Sequence, residues 1–387
     1  MGEAPLTESY DVVIIGAGPA GASAARAAAQ RGAKVLMVDR RRHIGIPVQC
    51  AEFVTQWVSR YAHFSSKSIL QKIETMITHL PDGTSYEMKG PGYLLDRSLF
   101  DKELVASAVL AGAKIFIETR AEGLSAEGLA IGRGSENEII QSKIFIGADG
   151  VHSSIGRLVG RPNLKTIVGL QYEVILPEPQ NHVDIFFHKD YEGGYAWFFP
   201  KGKTANVGVG VIPEKTNLLL GLLDHFLDHL VDLRKLSSVE IIAKTGGSIP
   251  CGKPGQTVFG NTLLVGDAAG HAHPITGGGI LNAVVGGEIA GRIGAEAVDR
   301  GDLRYLENYE MEWRETFGKS LSYGALKREF LEENWNKPGV GFEGLIRKTW
   351  VGFKEYYEDR KNWEIGNEKW EVVSVNRPER KSHGTKS

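Results

Sequence analysis

The sequence predicts an α/β protein: a Rossmann-type dinucleotide-binding domain, an inserted antiparallel β-sheet domain, and a helical C-terminal region. Three observations carry this prediction. A glycine-rich turn joins a strand-like to a helix-like segment near the N-terminus, pieces of similar grammar recur far downstream, and a β-rich stretch lies between them.

The first piece, "YDVVIIGAGPAGASAARAAAQRGAKVLMVDR", reads as a strand over Val12 to Ile15, a helix from about Pro19 to Arg31 and a strand over Lys34 to Val38. This is one βαβ unit. "LFDKELVASAVLAGAKIFIE" reads as helix then strand, while "SKIFIGADG" and "NTLLVGDAAG" each run from a strand into a turn. The nucleotide domain is therefore expected in three segments, residues 8–60, 95–165 and 255–300. Residues 61–94 and 166–254 form the β-rich substrate domain, with segments such as "VGLQYEVIL", "YAWFFP" and "ANVGVGV" and one Leu-rich helix near 218–233 that reads as packing. From 301 to 375 the chain reads as helical, and five of its seven Trp lie beyond residue 310. Aromatics mixed with both charge signs in "GLIRKTWVGFKEYYEDRKNW" suit a cap on the core better than a membrane anchor. Residues 376–387 read as a disordered tail.

Composition narrows the class. Length 387 suits a cofactor enzyme with interwoven domains, and 45 basic against 47 acidic residues give no field that would gather nucleic acid. The N-terminus lacks the apolar core of an export signal, and no apolar run reaches the roughly eighteen residues of a spanning helix. Cys50 and Cys251 are too few for a disulfide scaffold. The expected location is cytoplasmic, with at most peripheral contact on the inner face of the membrane.

Gly16, Gly18 and Gly21 form G-x-G-x-x-G between strand and helix, with Asp39 ending the next strand. The glycines permit a tight turn and close approach of a pyrophosphate to a helix N-terminus, and Asp39 can accept from a ribose hydroxyl. "GDAAGHAHPITGGGI" then sets Asp267 after a buried strand and a glycine run before a helix. That helix N-terminus suits the charge on the pyrimidine edge of a reduced flavin. With one nucleotide fingerprint present, the expected cofactor is one FAD. Arg40 to His43 read as a solvated basic loop, and His271 and His273 near Asp267 as part of a flavin loop; no metal site is expected.

The fingerprint, "GADGVHSSIGR" and "GDAAG" together resemble the para-hydroxybenzoate hydroxylase-like flavoproteins. "IPVQCAE", "LLDRSLFDKELVASAVLAGA", "YAWFFPKG" and "HPITGGGI" resemble the geranylgeranyl reductase family. The resemblance covers about residues 10 to 300. It implies an FAD-dependent reductase that saturates isoprenoid C=C bonds, with an isoprenoid lipid as substrate and an external electron donor, NAD(P)H or ferredoxin. It further implies FAD contacts at Gly21, Asp39, Cys50, Ala51, Arg97, Ala121, Asp267, Gly279 and Ile280.

For the reaction itself the candidates are Cys50, Tyr195 and Trp197. Alternation puts Tyr195, Trp197 and Phe199 on one strand face, a flat apolar wall that can hold an isoprene unit; the other reading of Trp197 is core filling. Cys50 reads as part of a proton path, as half of a redox pair with Cys251, or as an ordinary buried thiol. Two other activities fit the same residues: an aromatic monooxygenase of the superfamily, and a non-catalytic isoprenoid-lipid carrier.

Overall fold

The computed structural model describes residues 9–134, 136–362 and 372–374. The strand Tyr10–Ile15 lies between Val35–Val38 and Ser142–Gly147, parallel to both. Its unbroken Val-Val-Ile-Ile run is what a strand covered on both faces requires. The six-stranded sheet runs Val258–Phe259, Thr262–Leu264, Ser142–Gly147, Tyr10–Ile15, Val35–Val38, Lys114–Phe116, parallel except at its first pair. The helices Pro19–Gln30 and Ile280–Arg300 cover one face, and only small residues let them meet so closely. A Cβ at Gly287 or Gly291 would come within 2.1 or 2.0 Å of the carbonyl oxygens of Ala20 and Ala24. The other face carries a three-stranded meander, Thr119–Ser125, Gly128–Arg133 and Glu136–Ile140.

The second sheet is built from Ile241–Pro250, Thr166–Ile175, Thr204–Val211, Ala196–Lys201, His182–Phe186, Ile69–His79, Ser85–Leu95 and Val372–Ser374, in that order. It is antiparallel apart from the parallel pairing of His182–Phe186 with Ile69–His79. A ninth strand, Phe53–Thr55, pairs with Ser85–Leu95, although it falls in the 8–60 stretch assigned to the nucleotide domain. Val54, Val58 and Ala62 nevertheless pack into the nucleotide-domain core, so this stretch serves both domains. The aromatic and β-branched residues of Phe53–Thr55 favour a strand, and Gly92 opposite leaves room for the Phe53 ring, which a Cβ would approach to 2.7 Å.

The alternation of the aromatic strand sorts its two faces. Ala196 and Phe198 join the back cluster with Leu223, Phe226 and Leu230 of the helix Leu219–Asp232. Trp197 and Phe199, with Tyr195, face a front cluster that includes Ile275, Tyr323, Leu331, Trp335 and Trp350. The helices Lys319–Asn334 and Phe342–Thr349 thus cap that front face. Before them, Tyr309 and Trp313 return to the nucleotide-domain core. The expected tail at 376–387 lies outside the described residues. Among the described residues no helix is long and apolar enough to cross a membrane.

Candidate functional site

The glycine turn is shaped by what it excludes. Gly16 has φ of 101°, and a Cβ there would sit 2.3 Å from the Ala148 carbonyl oxygen; one on Gly21 would sit 1.9 Å from the Gly16 oxygen. Both glycines are needed for the protein to pack. Gly18 differs, since a Cβ there meets nothing within 4 Å. The helix Pro19–Gln30 begins at Gly18 with no side-chain cap, so its first N–H groups are left for an anion in that open space. The helix Ile280–Arg300 likewise begins at Gly279 without a side-chain cap. These two uncapped N-termini, with the carboxylate of Asp39 at a strand end, fit a dinucleotide.

Asp39 is 4% exposed and already engaged: the Ala17 N–H donates to Oδ2 at 2.8 Å, and Arg41 donates Nε to Oδ1 at 3.0 Å and Nη2 to Oδ2 at 2.8 Å. Although burial opposes it, the Arg41 pair and the N–H bonds hold the Asp39 carboxyl below its usual range. Arg41 is therefore not a solvated residue of its loop; it folds back as a fork on Asp39. Ala121 sits in the strand Thr119–Ser125, packed on the cluster beneath the sheet.

At the other end, Cys50, Ala51, Arg97 and Asp267 converge. Arg97, the first residue of the helix Arg97–Leu110, donates Nε and Nη2 to Asp101 at 2.9 and 3.0 Å. Its charge acts on both Cys50 and Asp267, yet burial still raises both of their pKa values. A raised thiol pKa keeps Cys50 protonated at neutral pH. Asp267 belongs to the turn Gly266–Ala269, and a Cβ on Gly279 would lie 3.3 Å from its Oδ1. Ile280, 8% exposed, is the first residue of the following helix. Within the same loop burial pushes His271 down to about 3 and His273 down to about 4, so both rings are neutral struts. His273 Nδ1 accepts from the Ile275 and Thr276 N–H groups, both at 3.3 Å.

The aromatic wall is tied to both loops. The Tyr195 hydroxyl donates to the Thr276 carbonyl at 2.6 Å, fixing the "PITGGG" loop, and burial raises the phenol's pKa. Trp197 is 7% exposed; its Nε1 donates to Gln171 Oε1 at 2.9 Å, and Gln171 Nε2 donates to the Cys50 carbonyl at 3.3 Å. The indole lies across glycines: a Cβ on Gly208 would be 2.2 Å from its Cζ2 and one on Gly169 3.3 Å from its Cη2.

Sequence reasoning passed over the residue at the centre of this arrangement. Glu52 has φ of 69°, is 2% exposed, and takes the Arg97 N–H at 3.0 Å, Asn206 Nδ2 at 2.9 Å and Lys201 Nζ at 2.5 Å. It joins the cysteine loop, the Arg97 helix and the second sheet. The one local signal was an acid directly after "QCA", and its partners lie about 45 to 154 positions away.

Comparison with known proteins gives concordant matches. Residues 11–144 match the FAD dependent oxidoreductase family and residues 166–249 the geranylgeranyl reductase catalytic domain. The chain is 36% identical over 348 residues to digeranylgeranylglycerophospholipid reductase 2 of Methanopyrus kandleri, covering 85% of this chain and 88% of that one. It is 37% identical over 345 residues to digeranylgeranylglycerophospholipid reductase of Methanosarcina acetivorans, covering 83% and 84%. A geranylgeranyl bacteriochlorophyll reductase-like protein of Thermoplasma acidophilum superposes with a TM-score of 0.81 at 28% identity, covering 92% of this chain and 99% of its own. The flavin-dependent brominase Bmp2, at 16% identity and a TM-score of 0.68 over 86% and 91% of the two chains, shares the fold.

Proposed function

The chain belongs to the digeranylgeranylglycerophospholipid reductase family and is an FAD-dependent oxidoreductase; from that premise we propose that it saturates the isoprenoid chains of a digeranylgeranylglycerophospholipid. The observation that carries this reading is the aromatic wall. Tyr195 and Trp197 form a rigid apolar surface, Tyr195 hydrogen-bonded directly to the loop 273–279 and Trp197 linked through Gln171 to the loop 48–52, the two loops that would border the flavin.

Reduced FAD supplies the hydride. An isolated isoprene bond has no carbonyl to polarise, so the chain itself must hold the alkene, exclude water and deliver a proton to the second carbon. Tyr195 and Trp197 hold the alkene. Cys50 delivers the proton, because its half-buried thiol, its pKa raised by desolvation, is protonated at neutral pH and the Arg97 charge offsets the thiolate left behind. Glu52 and Gln171 act as positioning residues, locking the Cys50 loop to the second sheet. Gly16, Gly18, Gly21, Asp39, Ala51, Ala121, Asp267, Gly279 and Ile280 cradle the cofactor. An external donor, NAD(P)H or ferredoxin, would supply the electrons. Exposed Ile175, Ile241 and Ile242, brought together where Val174 pairs with Ile241, give an apolar surface for peripheral contact with a membrane.

Anaerobic reduction with dithionite followed by addition of geranylgeranyl phospholipid tests this reading. Flavin reoxidation should accompany products that gain one pair of hydrogens per double bond. A flavin that stays reduced while the lipid is recovered unchanged would overturn it.

A further inference from the structure

A cavity of about 580 Å³ opens between the loops 160–165 and 251–256 and the helix Lys319–Asn334. Arg161, Lys165, Lys253 and Arg328 line it against a single acid, Glu329. In a chain whose net charge is −2, this excess of positive charge is local.

Much of that charge is unmatched. Arg161 has no side-chain hydrogen bond among the described residues, and its Nε and Nη1 are buried. Lys253 is exposed and has no ion pair among the described residues. Arg328 is 2% exposed; Nε bonds Glu332 and Nη1 the Gly193 carbonyl, while Nη2 is buried without a partner. Lys165 pairs with the same Glu332, so one carboxylate serves two cations. A buried guanidinium with free N–H groups is costly unless something anionic meets it, and the planar fork suits a phosphate.

We infer that this cavity binds the phosphate of the substrate lipid's headgroup, an inference that rests on the isoprenoid-lipid reading above. Arg328 also lines a narrow pocket with Phe187, Tyr195, Ile275 and Trp350. That pocket has room for about 10 Å³, the size of one water, so Arg328 stands between the cavity and Tyr195, and a lipid chain reaches the aromatic wall only when side chains there shift. One residue would join the polar and apolar halves of an amphiphile's site.

The test compares geranylgeranyl phosphate with geranylgeraniol on the anaerobically reduced holoenzyme. Lys253→Gln and Arg161→Gln should each raise KM for the phosphate about tenfold and leave geranylgeraniol within about twofold, with kcat unchanged for both. Equal effects on the two compounds, or none on either, would overturn the proposal. Lys253 is exposed, so its variant tests the site even if Arg161→Gln folds poorly. Stopped-flow reduction by NADPH separates the other phosphate source: variants that weaken NADPH and spare the lipid would assign the cavity to the donor and refute the headgroup. If the wild type reduces neither compound, the isoprenoid reading fails. The site is still scored then, by flavin-fluorescence titration with geranylgeranyl phosphate, whose affinity must fall in both variants.

Discussion

Replacing Trp197 with Leu separates the proposed substrate wall from a packed core, because the residue sits in a packed cluster and is also linked through Gln171 to the Cys50 loop. The substitution removes the bond to Gln171, worth about 1 kcal/mol net, or more with the acceptor left unmet. It also leaves roughly 60 Å³ unfilled, which at about 24 cal/mol per Å³ adds ~1.5 kcal/mol. A total of about 2.5 kcal/mol or a little more should lower the melting temperature by roughly 3 °C in a chain of this size. Stability loss alone therefore decides nothing, and a control is needed. Trp335 belongs to the same cluster, is 5% exposed, and donates Nε1 to the Lys189 carbonyl at 2.9 Å, so Trp335→Leu should cost about as much. Both variants are assayed well below their melting points by single-turnover reoxidation and by mass spectrometry of the saturation pattern. Trp197→Leu is expected to slow turnover at least tenfold or shift which double bonds are reduced, while Trp335→Leu changes neither. If Trp197→Leu keeps the wild-type rate and pattern, the wall does not hold the substrate and the residue only fills the core.

Cys50→Ala should abolish alkene reduction yet leave dithionite reduction of the flavin intact. In the wild type, burial raises the thiol pKa from its ordinary 9.0, so the proton-donor limb of the kcat profile should stay flat through neutrality and fall only at higher pH. A fall beginning below pH 8 would exclude Cys50 as the donor. Gly18→Ala should lower FAD affinity with little change in apoprotein melting, whereas Gly21→Ala, with its Cβ 1.9 Å from the Gly16 oxygen, should destabilise the apoprotein itself. Equal melting losses would show that the space at Gly18 is not reserved for a ligand. Asp184 is fully buried and bonded to His79 Nε2 at 2.6 Å and Lys235 Nζ at 2.9 Å, and its carboxyl lies below the usual range despite burial. Because the folded pKa is depressed, its contribution is complete above the unfolded carboxyl pKa of about 4 and lost as pH falls through the folded value. Asp184→Asn should thus be less stable than wild type at pH 7 by urea unfolding, and the gap should close on acidification; a pH-independent gap would refute the ionic role.

The sequence by itself determined the elements whose cause is local. The unbroken apolar run of Tyr10–Ile15, the turn of Gly16, Gly18 and Gly21, and the acid ending the next strand specify a dinucleotide cradle, since periodicity and backbone freedom are properties of neighbouring residues. The faces of the strand Ala196–Lys201 followed in the same way from a period of two. What the tertiary structure alone decided was which distant residues share a charge or a hydrogen bond. Phe53–Thr55 joins the second sheet because Gly92, nearly forty positions on, leaves space for a ring. Glu52 can be buried only because Arg97, Lys201 and Asn206 arrive from three other segments. Arg41 looks like any solvated arginine until it and the Ala17 N–H are seen to share the Asp39 carboxylate. A buried charge is stable only with its partners in place, and those partners are set by the fold's long-range closure, which no local pattern encodes.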